Sequence, residues 1–211
     1  MFTRSQVFLW SFAVAVSGAL AERPSCLMTD PDEIRLSSSK ALCIPVEGCI
    51  TASFAKVHAV LRSSNLLERV QQAYADQLPE GAKPEFVVHS DGDGRYYYVN
   101  DDDERCDIRE LWRDTDTNTS FRCAFYVTGE RFFGRFESLI TLSVTRSSRD
   151  PTETMRYVTD VRVCPHSATV RLFLQHMPGI DFYFRRKTAE MRKIISTVFL
   201  RLAGPETEQH G

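Results

Sequence analysis

The chain has 211 residues, 43% of them apolar, with 26 Lys and Arg against 28 Asp and Glu for a formal charge of −2. That near-balanced, slightly acidic charge excludes a general nucleic-acid binder, which needs a basic surface to neutralise phosphates. The apolar content is enough for one domain with a real core.

The first 21 residues read as a secretory signal peptide. Arg4 supplies the positive start, Val7–Trp10 and Phe12–Val16 form an apolar stretch, and Ala19-Leu20-Ala21 gives a small-x-small cleavage site. The stretch is shorter than a membrane span requires. Cleavage after Ala21 puts the mature protein in the periplasm or outside the cell and, by removing Arg4, takes its charge to −3.

All six cysteines, Cys26, Cys43, Cys49, Cys106, Cys123 and Cys164, follow that site. An even count in an oxidising compartment predicts disulfides, and six cysteines allow fifteen pairings. Cys43 and Cys49 enclose a short segment with Pro45 and Gly48 and read as one pair. Cys106 and Cys123 fall on successive predicted strands, and Cys26 and Cys164 remain.

Residues 22–51 are rich in Pro, Ser and Cys, lack sustained periodicity and read as an arm, although Glu33–Leu36 and Ala41–Ile44 could each be a short strand. A single α+β domain is expected over 52–204, followed by a flexible tail over 205–211. From Ala52 the apolar residues Phe54, Val57, Val60, Leu61, Leu66, Leu67, Val70 and Ala73 recur at helical spacing, and Ser63-Ser64-Asn65 divides them into two helices. The period then switches to two. Phe86–Val88, the turn Ser90–Gly94 and Tyr96–Val99 make a hairpin. Strands follow at 105–113, 120–128, 132–146, 154–163 and 168–176. Phe184, Met191, Ile194, Ile195, Val198, Phe199 and Leu202 then mark a closing amphipathic helix, ended by Gly204-Pro205.

This order, a helix pair, about six to seven antiparallel strands and a long C-terminal helix, resembles the helix-grip fold of the START-like (SRPBCC) superfamily over residues 52–203. The stretch carrying the resemblance is Phe136–Leu202, with its long strands, the turn Met177-Pro178-Gly179 and the final helix. The resemblance implies a sheet curled around the last helix, with an apolar cavity for a lipid or other hydrophobic molecule. Phe125, Phe136, Ile140, Leu172, Phe184 and Val198 are the candidates to line it.

Motifs for chemistry are absent from the sequence. It has no C-x-x-C, no H-E-x-x-H, no G-x-S-x-G and no Gly-rich phosphate loop. Asp91-Gly92-Asp93-Gly94 lacks the spaced ligands of a calcium loop and reads as a turn, and Asp101–Glu104 reads as a solvated tip. No metal or cofactor is expected. Asn118-Thr119-Ser120 is a glycosylation sequon in form. Arg185, Arg186 and Lys187 near the start of the last helix are candidates to contact an anionic membrane surface or an acidic partner.

Binding of a hydrophobic or lipid-like molecule is therefore favoured over catalysis. The alternatives are a cell-envelope or secreted assembly factor that holds a protein partner, and an enzyme whose groups meet only on folding.

Overall fold

The computed structural model describes residues 30–38, 41–82, 84, 87–99, 104–114, 119–131, 134–147, 154–176 and 180–204. The expected signal segment 1–21, Cys26, Asp101–Asp103, Asn118 and the tail 205–211 lie outside the described residues.

Seven strands, β1 (Leu42–Thr51), β2 (Val87–Gly92), β3 (Arg95–Val99), β4 (Arg105–Asp114), β5 (Ser120–Arg131), β6 (Gly134–Arg146) and β7 (Thr154–Pro165), form an antiparallel sheet in the order β1-β7-β6-β5-β4-β3-β2. The helices are α1 (Pro31–Ser38), α2 (Phe54–Leu61), α3 (Leu66–Ala75), α4 (Ala168–His176) and α5 (Ile180–Ala203). The helix pair, the antiparallel sheet and the long closing helix are the helix-grip α+β layout that the sequence predicts.

Alternation along each strand sorts side chains to two faces. Ile44, Val46 and Ile50 of β1, Tyr157 and Val161 of β7, Val144 of β6, Phe121 and Phe125 of β5 and Tyr98 of β3 share the concave face, where they pack with Phe54, Val57, Leu61 and Leu66 of the helix pair and Met191 and Phe199 of α5. At 24 residues, α5 is about 36 Å long. It packs chiefly on β1, α2 and α3. Tyr157 ties it down: the hydroxyl donates to Arg192 O at 3.1 Å and lies 3.1 Å from Ser196 Oγ.

Glu33–Leu36, a possible short strand in the sequence, lie in helix α1, and the structure departs from the sequence reading in three further places. Residues 42–51, expected in an arm, pair along their whole length with β7, from Leu42 opposite Val163 to Thr51 opposite Thr154. Pro45 and Gly48 gave this segment its loop-like composition, but Pro is tolerated in an edge strand, and Gly48 leaves room for the Tyr157 ring across the register. The expected strand 168–176 is instead helix α4. Both sides of β7 are already taken, by β6 and β1, so the next segment has no ladder to join there. Ser167 starts the helix, its carbonyl accepting from Arg171 N at 3.1 Å and its hydroxyl from Val170 N at 3.3 Å.

The third departure is in the cysteines: Cys43, Cys49, Cys106, Cys123 and Cys164 form no disulfide. Cys43 and Cys49 lie on one strand, about 20 Å apart at 3.3 Å per residue. Cys106 faces Gly129 and Cys123 faces Arg113, six residues apart along β5 and again about 20 Å. Bridging requires Cα atoms within about 7 Å. Cys43 Sγ instead donates to Asp160 Oδ1 at 2.8 Å, Cys106 and Cys123 are buried in the concave core, and Cys164 accepts from Arg171 Nη1 at 3.7 Å.

On the convex face α1 packs on β6 and β7. Its Leu36 is buried with Ala124, Leu139 and Cys164, beside Trp112 and Tyr126. Charged groups surround that contact. Arg109 bonds Asp30 at 2.8 Å and Asp32 at 2.9 Å, Arg35 bonds Glu137 at 2.6 and 3.0 Å, and the indole of Trp112 donates to the buried Glu33 at 2.8 Å.

Candidate functional site

The concave face brings together three of the six residues expected to line a cavity. Phe125 on β5 faces Ile140 on β6 directly, and Phe136 shares the Ile140 face four residues earlier. Val198 is buried on α5. Leu172 departs from expectation: on α4 it is 60% exposed, because the helix turns it outward. The side chain of Phe184 lies outside the described residues.

Exposure varies across this face in an informative way. Phe125 and Val161, which flank Ile140 in the register, are buried, yet Ile140 and its neighbour Leu142 are only half-buried. Ile108 on β4 is half-buried too. Apolar side chains in the body of a seven-stranded sheet would be sealed if helices covered them completely. Here α5 stands over the β1 side, and the middle strands are less completely covered.

A polar group closes one end of the same face. The β4–β5 register shifts between Glu110 and Trp112, so Glu110 opposes Phe125 and Arg113 opposes Cys123. Without that bulge, residues 110 and 113 would point to opposite faces. Arg113 Nε donates to Glu110 Oε1 at 2.8 Å, and its Nη2 makes a second bond to the same carboxylate. Its Nη1 donates to the carbonyls of Leu61, at 3.1 Å, and Ser63, between α2 and α3. Tyr96 joins this end by donating to Ser64 O at 3.1 Å. Burial, followed by the Glu110 and Glu68 carboxylates, raises the Tyr96 pKa. Burial pushes the Cys123 thiol well up, and Glu110 adds to it, so that sulfur stays protonated. One Glu68 carboxylate oxygen, Oε2, is buried without a hydrogen-bond partner among the described residues.

Sequence reasoning missed this polar end. Its one signal is Glu110-Leu111-Trp112-Arg113, where two adjacent apolar residues between charges break strict alternation and mark a bulge.

The histidines do not assemble a catalytic relay among the described residues. His89 stacks on Tyr97 with centroids 5.1 Å apart, His176 Nδ1 lies 2.9 Å from Leu172 O, and His166 Nε2 lies 3.7 Å from Glu137 on the convex side. The buried one is His58, stacked on Phe54 at 5.2 Å and edge-on to Phe121 at 6.5 Å.

The expected basic trio also separates. Arg185 and Arg186 are exposed, whereas Lys187 is buried and bonds Glu190 at 2.7 Å. Arg186 reaches the same carboxylate at 3.1 Å. Burial opposes the Glu190 charge, but those two cations outweigh it and hold the carboxyl below the usual glutamate range.

No family model matches the chain, and no curated protein matches it. Solved structures do. A conserved protein from Geobacillus kaustophilus is 8% identical, with a TM-score of 0.46, over 77% of this chain and 95% of that one. Norcoclaurine synthase from Thalictrum flavum is 10% identical, with a TM-score of 0.45, over 89% of this chain and 97% of that one. An uncharacterised protein from Rhizobium leguminosarum is 12% identical, with a TM-score of 0.41, over 77% and 96%.

Proposed function

We propose that this chain is an exported protein that holds a hydrophobic or lipid-like molecule between the concave face of its sheet and α5. The observation that carries the reading is the incomplete burial of Ile140 and Leu142 among buried neighbours. Apolar side chains left partly uncovered inside a concave sheet favour an apolar ligand, because each buried methylene is worth about 0.8 kcal/mol. The Tyr96–Glu110–Arg113 group at one end suits a ligand with a polar head, since a few placed polar groups fix orientation in such sites. Export rests on Arg4, the apolar run after it and Ala19-Leu20-Ala21.

Mass spectrometry of an organic extract of the purified protein tests the ligand. The expected result is one lipid-like species in near-stoichiometric amount, lost in an Ile140→Trp variant that keeps its circular dichroism. An empty extract, together with no uptake of a fluorescent fatty acid, would overturn the reading. For export, sequencing of the processed protein is expected to begin at Glu22.

A further inference from the structure

Helix α4 presents two large apolar side chains, Leu172 and Phe173, to solvent. Residues at i, i+3, i+4 and i+7 of a helix share a face, and here Thr169, Leu172, Phe173 and His176 are all exposed, Leu172 at 60% and Phe173 at 62%. Among the described side chains of the helix the half-buried positions are Val170 and Arg171, and Arg171 turns in to reach Cys164 Sγ at 3.7 Å. Leu172 and Phe173 depart from the ordinary pattern, in which a surface helix buries its large apolar side chains. Ser167 still caps the helix, and α4 packs on β7 and α5, so the element is formed and seated with that face outward.

The charge around it is mostly basic. From Pro165 to Lys193 the chain carries Arg171, Arg185, Arg186, Lys187, Arg192 and Lys193 against Asp181 and Glu190, the latter bonded by Arg186 and Lys187, although the whole chain is net negative. Arg185 and Arg186 are exposed at the start of α5, directly after α4. Two adjacent exposed apolar side chains, followed on the next helix by the exposed cations Arg185 and Arg186, match a bilayer surface with anionic headgroups. The apolar groups enter the acyl boundary, and the cations meet the phosphates.

We infer that α4 is a membrane-docking element that seats the protein on an anionic lipid surface through Leu172 and Phe173, with Arg185 and Arg186 supplying the electrostatic attraction. The inference rests on the lipid-binding reading above and adds where the protein meets the bilayer.

Co-flotation with vesicles tests it, using phosphatidylcholine alone and phosphatidylcholine mixed equally with phosphatidylglycerol. The full chain is expected to float with the mixed vesicles and much less with the neutral ones, and to lose binding as salt rises. Reversing Arg185 and Arg186 to Glu together weakens binding to mixed vesicles about 10-fold. A Leu172→Asp/Phe173→Asp variant, whose changes lie on an exposed face, keeps its circular dichroism but floats no better than protein with neutral vesicles. Equal flotation of the wild type and that double variant overturns the inference. So does a wild-type dimer that the double variant abolishes, because a second copy would then be what covers the face. Uptake of a fluorescent fatty acid without vesicles keeps the two readings apart: the double variant retains uptake if only docking is lost, and failure of uptake in the wild type counts against the ligand reading alone.

Discussion

Gly48 shows how much one missing side chain decides. A Cβ there would stand 2.6 Å from the Tyr157 hydroxyl and 2.7 Å from ring atoms of the same residue, inside any real contact. The ring is fully buried and its hydroxyl is engaged with Arg192 O and Ser196 Oγ, so it cannot swing aside without loosening α5. Gly48→Ala is therefore expected to cost about 2–3 kcal/mol, as overpacking of a tight core does. Tyr157→Phe removes only the hydroxyl bonds and is expected to cost about 1 kcal/mol. Urea denaturation of the two variants measures both, and a Gly48→Ala protein as stable as wild type would show that the ring is not fixed by α5. The same residue explains a misreading. In sequence, Gly48 with Pro45 looks like a loop between two cysteines, and only the partner across the register reveals why glycine is needed inside a strand.

Elements whose own periodicity matched their final environment were legible in the sequence. The helix pair, the hairpin at Gly92–Gly94, the strands β4 to β7 and α5 each alternate or repeat as their burial demands. α4 was not legible, because Val170, Leu172 and Leu174 fit a strand as well as a helix. The arbiter is topological: β7 had no free edge to offer. α1 was missed for a different reason. It buries Leu36 completely, but most of its other contacts are polar and reach residues 77 to 102 positions away, which no local pattern reports. Those contacts predict pH dependence. Burial opposes the charges of Asp30 and Glu137, but Arg109 on the first, and Arg35 with Tyr126 on the second, hold both carboxyls below their usual range. Groups lowered in the folded state stabilise it fully above their unfolded values near 4 and lose that contribution as pH falls through the folded ones. α1 is therefore expected to lift from the sheet on acidification below about pH 4, with a red shift of emission from Trp112, whose indole bonds Glu33. Arg109→Ala is expected to move that transition to higher pH. An emission maximum that changes only with global unfolding would show that α1 is not separately released.

At the scale of the whole molecule, the cysteines and the site teach the same lesson about distance. An even count after an expected cleavage site is a compositional argument, and it favours disulfides only where the fold brings sulfurs together. Along a strand, or displaced along a neighbour, two cysteines can be close in sequence and about 20 Å apart in space. The apolar half of the candidate site was readable for the complementary reason: Phe125, Phe136 and Ile140 follow from alternation alone once the strands pair in order. Its polar half depends on a single bulge that reverses the phase of β4 between Glu110 and Arg113. A chain of 211 residues with its core spread over the concave sheet, the helix pair and α5 has no need of staples, which small domains require because they bury too little surface. The melting temperature is accordingly expected to be the same with and without a thiol reductant. Peptide-resolved alkylation of the native protein should modify the exposed Cys49 rapidly and the buried Cys106 and Cys123 only once the protein unfolds. Cys123 should be slowest, because burial and Glu110 keep its thiol protonated. A melting temperature that falls on reduction, or native protein in which Cys43 and Cys49 resist alkylation together until reduced, would contradict the separation of the cysteines along β1 and β5.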